Sequence, residues 1–330
     1  MKIFVTHNPE DQEMYFHWAM EPLRGLGEVV LNPTDRNLTT PELIEAAAGC
    51  DVIIAHRATP AEAAVFDSLP DLIALLRPQL DIRTIDVEAA SRNGILIANA
   101  PATFVPSTAE MVLALMLDLA RNVSVSTMAY HEGREPETRL GVQLRDSTAG
   151  IIGYGVIGEY LANILVAMGM RVLVNDPYKT VDVRGIEQTD FDTLLKESDF
   201  VLPLAVATAE TEKLIGARAL SLMKPTAFLV NCSRGDLVDE EALEEAFQAG
   251  RFAALAMDVG RAQDQRPSQH LAGLPGVVAT PHLGGLTVHA ARPQTMSPVE
   301  QVEAMLEGRI PPRAVNPDHA SRLKAYWERK

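Results

Sequence analysis

The chain has 330 residues, long enough for two domains of ordinary size, and 47% of them are apolar, as in a soluble globular protein. No stretch approaches the roughly 18 uninterrupted apolar residues of a membrane span, and a net charge of −15 excludes a nucleic-acid or anionic-membrane surface, where positive potential supplies most of the affinity. An anionic small molecule would therefore have to be held by a few local cations against the global field.

The first residues, MKIFVTHNPEDQ, lack the basic start and long apolar run of a signal peptide and read as a strand from the second residue. Further strands are expected at EVVLNP, DVIIAH, LIALLRP and GILIANAP, with helical stretches between them such as TPELIEAAAG, where Thr40 suits an N-cap and Pro41 the first helical position. One long helical pattern, STAEMVLALMLDLARNV, joins this series to a second: TAGIIGYG, RVLVNDPY, DFVLPLAV, TAFLVNCS, FAALAMDVG and GVVATPH. Alternating short strands and helices from end to end indicate α/β architecture with parallel sheets. After His282 the segment SPVEQVEAMLEGR is again helical in period, and a chain that returns to its first domain would explain the lack of a loose linker. Cys50 and Cys232 form neither a disulfide framework nor a CxxC metal pair, which suits a reducing cytoplasm.

Residues 150 to 158, GIIGYGVIG, contain Gly153-x-Gly155-x-x-Gly158 between a strand and a helix. Gly153 suits a tight turn, Gly155 lets the backbone approach a pyrophosphate, and Gly158 lets the helix pack close to the strand. The helix N-terminus then offers unpaired N–H groups to phosphate, so little side-chain charge is needed. A second strand ends at Asp176, placed to accept hydrogen bonds from adenosine ribose hydroxyls and to repel a 2′-phosphate, and Pro177-Tyr178-Lys179 follows without an arginine. NAD is expected rather than NADP. Arg234, Asp258 and His282 each follow a strand-like run, where α/β sheets place their sites.

Taken together, GIIGYGVIG, VNDPY, AETEKLIGARALSLMKPTAFLVNCSRGDLVDEEAL, AALAMDVG, ATPHLGG and PPRAVN resemble the D-isomer-specific 2-hydroxyacid dehydrogenase family, strongly over about residues 145 to 290 and faintly but collinearly elsewhere. The resemblance implies two parallel-sheet domains, Rossmann-like or flavodoxin-like. A substrate domain would comprise residues 1–100 and 290–330, with an NAD-binding Rossmann domain, 101–289, inserted within it. It implies a cofactor site including Gly153, Gly155, Val156, Ile157 and Gly158, with Asp176 on the ribose. Cys232 and Arg234 would lie along the cofactor, and Asp258 at the nicotinamide carboxamide. It further implies that Arg234 holds the carboxylate of a 2-hydroxy or 2-keto acid, that His282 is the acid/base, and that members are commonly dimers.

The residue types suit that chemistry. A protonated His282 can donate to a carbonyl oxygen as hydride reaches the carbon. The forked Arg234 can grip a planar carboxylate at two points. The sequence departs from the family in three places. Gln263 stands where the family has a glutamate beside the catalytic histidine, with the carboxylate of Asp264 one residue further on. The substrate loop, LLRPQLDIRTIDVEAAS, lacks the family's glycines and carries Arg77 and Arg83, candidates for gripping a different or larger acid, although Ala109-Glu110 still match. Leu204 and Val206 replace a common His and Pro near the cofactor. Loss of the glutamate leaves open a second reading, an NAD(H)-binding sensor without fast turnover.

Overall fold

Runs such as Val52–Ile54 and Phe200–Pro203 are apolar without alternation, as strands covered by helices on both faces must be. A computed structural model describes all residues except Gln263 and Lys330. It divides into two compact units, residues 1–103 with 288–330, and residues 104–287.

The first unit holds five parallel strands: β1 (Lys2–Val5), β2 (Glu28–Leu31), β3 (Val52–Ile54), β4 (Ala74–Leu76) and β5 (Leu96–Ala98). Their order is β2-β1-β3-β4-β5, the flavodoxin-like arrangement, whose switch point lies between β1 and β3. Ile3, Val52, Ile54, Leu76 and Leu96 form one core face, which Val299, Val302 and Met305 of the returning helix Val288–Leu306 complete. The other face packs Phe4, Ile53 and Leu75 against Leu43 and Phe66. The helix at TPELIEA is capped by Thr39 rather than Thr40, because Glu42 reaches back to the Thr39 N–H and hydroxyl at 2.9 and 2.8 Å, so Pro41 is the second helical residue.

The second unit holds seven parallel strands: β6 (Thr148–Ile152), β7 (Arg171–Asn175), β8 (Ile186–Gln188), β9 (Phe200–Pro203), β10 (Phe228–Asn231), β11 (Ala254–Met257) and β12 (Val277–Ala279). The order β12-β11-β10-β9-β6-β7-β8 is the Rossmann arrangement with one added strand, and its switch point falls between β6 and β9. The short strand β8, which pairs with β7, has no counterpart among the expected strands. The long helix Val105–Arg121 buries Ala109, Val112, Leu115 and Met116 against this sheet's core. Among the described residues, no single helix is long and apolar enough to cross a membrane.

Candidate functional site

The glycine turn leaves β6 at the switch point of the second sheet. Gly153 has φ +97°, and a Cβ there would lie 2.5 Å from the Ala205 Cα, so only glycine fits. A Cβ on Gly158 would lie 2.4 Å from the Gly153 carbonyl oxygen, which shows how closely this helix approaches the turn. A Cβ on Gly155 would meet nothing within 4 Å, so open space remains in front of the backbone where a pyrophosphate would lie. Gly155 caps the helix Val156–Ala167, and Val156 and Ile157 present first-turn N–H groups that have no intrahelical acceptor. Asp176 sits just past β7. One of its carboxylate oxygens accepts from Tyr154 N at 2.8 Å and the other from Tyr178 N at 2.9 Å, so it ties the glycine turn to its own loop. A carboxylate has about four acceptor sites, and two remain for ribose hydroxyls. These residues fit a dinucleotide.

Three neighbouring strands carry the other candidates. Asn231, Met257 and Ala279 are in register across β10, β11 and β12, so the segments leaving them emerge at one end of the sheet. Asn231 is buried and fixes the first segment: its side-chain NH₂ donates to the Arg234 carbonyl at 3.0 Å, and its oxygen accepts from Ser233 N at 3.1 Å. The Arg234 guanidinium, half-buried, donates to the Ser233 carbonyl at 2.7 Å. Cys232 is buried, and burial pushes its thiol pKa well up, so it stands as a neutral wall.

Asp258 is fully buried and accepts from the Thr280 hydroxyl at 2.6 Å, Leu283 N at 2.7 Å and Gly284 N at 2.8 Å. It therefore clamps the turn that presents His282 from both sides. Within that turn His282 has φ +62°, an uncommon backbone state for a residue with a Cβ, held by the surrounding bonds.

The first unit gathers polar residues at the carboxyl ends of its central strands. Thr6 and His7 follow β1, His56 follows β3 and Arg77 follows β4, at and beside the switch point. Arg77 is completely buried. Its Nη2 donates to the Thr59 carbonyl at 3.3 Å and the Thr84 hydroxyl at 3.1 Å, while Nε and Nη1 have no partner among the described residues. Burial brings its pKa down to about 10, partly countered by Asp81. His7 is equally buried, stacks on Phe16 at 4.1 Å, and has both ring nitrogens unpartnered among the described residues. Burial, then His56 and Arg77, hold the His7 pKa well below its ordinary value. Burial, then Arg57 and Arg77, bring His56 to about 3. Both imidazoles are thus neutral near pH 7. A π-helical segment, Gln12–Phe16, brings Tyr15 and Phe16 to the cluster.

Other expected residues are placed differently. Arg83 is exposed and paired with Asp81 at 2.9 Å, so its charge is engaged. Gln263 lies outside the described residues. Asp264 faces Arg266, accepting from its backbone N at 3.1 Å. Leu204 is buried and Val206 exposed on the loop after β9, while Ala109 is buried and Glu110 exposed on the helix Val105–Arg121. Sequence reasoning passed over His7 and His56, although KIFVTH and DVIIAH both end in histidine at the strand ends where such folds bind ligands. It also missed Thr280 as a partner of Asp258, which no local pattern announces.

Comparison with known proteins agrees with this geometry. The family model for the D-isomer specific 2-hydroxyacid dehydrogenase NAD binding domain matches residues 113–284. A D-3-phosphoglycerate dehydrogenase of Methanocaldococcus jannaschii is 33% identical over 321 residues, covering 96% of this chain and 59% of that protein. A hydroxypyruvate reductase of Thermotoga maritima is 34% identical over 275 residues, covering 82% of this chain and 90% of that protein. This chain thus spans little more than half the length of the phosphoglycerate dehydrogenase and most of the reductase. The TT0316 protein from Thermus thermophilus has the same fold, with a TM-score of 0.86 and 30% identity over 96% of this chain and 100% of that one. The chain belongs to the D-isomer specific 2-hydroxyacid dehydrogenases, a family of NAD-dependent oxidoreductases.

Proposed function

We propose that this chain interconverts a D-2-hydroxy acid and its 2-keto acid, with His282 as acid/base and Arg234 as the carboxylate anchor. The observation that carries the reading is the buried Asp258, whose three hydrogen bonds clamp the His282 turn beside the strand end that bears Arg234. Bound NADH supplies the hydride that reaches the carbonyl carbon. His282, as imidazolium, gives its proton to the carbonyl oxygen, and as neutral imidazole it takes the hydroxyl proton in the reverse direction. Arg234, always charged, grips the carboxylate and so fixes the carbonyl for attack.

The Asp258 carboxylate also lies at this strand end, and we assign it to positioning the turn and contacting the nicotinamide carboxamide. We assign the second unit to NAD, through the glycine turn with Val156, Ile157 and Asp176, with Cys232 as a wall of that site. The first unit is assigned to the substrate through Arg77. A buried guanidinium lacking a hydrogen-bonded carboxylate costs several kcal/mol, which an anionic substrate group would offset. Arg83, tied to Asp81, is left out of the assignment.

A homodimer is proposed because the helix Val123–His131 exposes four large apolar side chains, Val123, Val125, Met128 and Tyr130, spread around its surface, and apolar surface of that kind is commonly covered by a second copy. Two buried free cysteines suit a reducing cytoplasm.

The test is a panel of 2-keto acids, small to aromatic, assayed with NADH by absorbance at about 340 nm. At least one acid should be reduced, and His282→Ala should lower kcat for it by about two to four orders of magnitude with NADH affinity kept. NADH binding without turnover of any acid in the panel would sink the enzyme reading.

A further inference from the structure

The loops that follow β7 and β9 stand on either side of the glycine turn, because β6 lies between those strands in the sheet. A side-chain bond joins them. The Tyr178 hydroxyl, past β7, donates to the Glu210 carboxylate, past β9. Both loops are also held by bonds of their own and from neighbouring segments. The Thr211 hydroxyl accepts from Thr208 N at 2.8 Å and donates to the Val206 carbonyl at 2.7 Å, and the Ser233 hydroxyl donates to the Ala205 carbonyl at 3.1 Å. On the other side Tyr178 N donates to Asp176 at 2.9 Å, and the Gln188 side chain donates to the carbonyls of Asp176 and Lys179 at 3.1 and 2.7 Å.

Tyr178 is 79% exposed, so the fold gains little from its ring or from an exposed bond of this kind. A dinucleotide lying on the glycine turn with its ribose at Asp176 would have its adenosine end between the two loops that the bond joins. The open space at Gly155 and the Asp176 carboxylate show where that dinucleotide would lie.

We propose that Glu210 and Tyr178 form a clasp over the adenosine end of the cofactor, in which Tyr178 retains the bound dinucleotide and the Glu210 carboxylate joins Asp176 in rejecting a 2′-phosphate. The inference rests on the assignment of Asp176 to the adenosine ribose. Lys179, whose ammonium sits 5.9 Å from the Tyr154 ring centroid, is a cation in the same loop that would attract a phosphate. Asp176 alone would balance it, and Glu210 makes the local charge negative. The two members of the clasp then have separable duties. Tyr178→Phe breaks the bond and keeps the charge. Glu210→Gln keeps an acceptor for the tyrosine hydroxyl and removes the charge.

The experiment measures Kd for NADH and NADPH by fluorescence titration, and NADH release by stopped flow, in wild type, Tyr178→Phe, Glu210→Gln and Asp176→Ala. Glu210→Gln should lower the ratio of the NADPH Kd to the NADH Kd by about threefold to tenfold at low salt, and this gap from wild type should close near 1 M salt, where the Debye length is about 3 Å. Tyr178→Phe should speed NADH release by about threefold to tenfold, the loss expected of one modest hydrogen bond, with the Kd ratio unmoved. If Asp176→Ala loses NADH affinity while both clasp variants keep wild-type ratio and release rate, the clasp is wrong and the Asp176 assignment stands. If Asp176→Ala binds both cofactors as wild type does, the assignment itself falls and the clasp falls with it.

Discussion

The two units share one plan, a parallel sheet with polar residues gathered at the carboxyl ends beside a switch point, yet what they would offer an anion differs. In the second unit the glycine turn and the helix N-terminus offer backbone N–H groups, and its two key carboxylates also fix local geometry. Asp176 pins the turn and Asp258 pins the His282 loop. In the first unit a whole guanidinium is buried among neutral histidines. The difference teaches how a chain of net charge −15 can attract anions locally. Backbone dipoles carry no ionic desolvation cost, so they suit a site that is open to water. A buried arginine carries that cost permanently, and in the proposed substrate role of Arg77 an anion would return part of that energy.

The largest expected contrast lies within the glycine turn. Gly153→Ala should destabilise the chain by about 3 kcal/mol or more, because a Cβ must displace backbone while φ stays positive. Gly155→Ala should stay within about 0.5 kcal/mol of wild type and weaken NADH about tenfold, by filling the space a phosphate needs. Urea denaturation and NADH titration of both variants measure the contrast. Equal stability losses would show that Gly155 is not open as described.

The first unit is tested by Arg77→Met, which keeps length and removes charge. If the guanidinium serves substrate, KM for the preferred keto acid should rise about tenfold, equivalent to about 1.4 kcal/mol, with NADH affinity unchanged and stability equal or higher. A large loss of stability with an unchanged KM would instead make Arg77 a structural residue, and the contrast between the units would lose its functional meaning.

A smaller effect concerns pH. His7 and His56 stay neutral in the folded chain, whereas in the unfolded chain they titrate near 6.5. Below that value the unfolded state takes up protons that the folded state refuses. Stability is therefore full above about pH 6.5 and falls with decreasing pH, by about 1.4 kcal/mol per pH unit for each proton withheld. For His56 the fall continues toward its folded value of about 3. Urea midpoints between pH 7.5 and 5.5 should show this slope, and His56→Gln should flatten it. Identical slopes would mean that the imidazole charges without unfolding, and that the first unit is wetter than its burial suggests.

Much of the second unit was legible in the sequence. The glycine spacing, the aspartate ending the next strand and the strand-end positions of Arg234 and His282 are local features, and each maps to one turn or one strand end. The first unit was harder to read. Arg77 and Arg83 looked alike in LLRPQLDIRTID, yet one is buried at a strand end and the other is exposed and paired with Asp81. His7 and His56 looked like ordinary strand-end residues, because nothing local says that β1 and β3 are neighbours.

By itself the sequence determined what depends on short spacing: where strands and helices alternate, which glycines must lack a Cβ, and which side chains leave the ends of strands. The tertiary structure alone decided what depends on strand order and register. Asp258 meets Thr280 and Gly284 only because β11 and β12 pair in parallel, and Tyr178 meets Glu210 only because β6 lies between β7 and β9. The period of apolar residues specifies which face of an element is buried, but not which other element covers it. Contacts between residues far apart in sequence therefore appear only when the sheet is assembled.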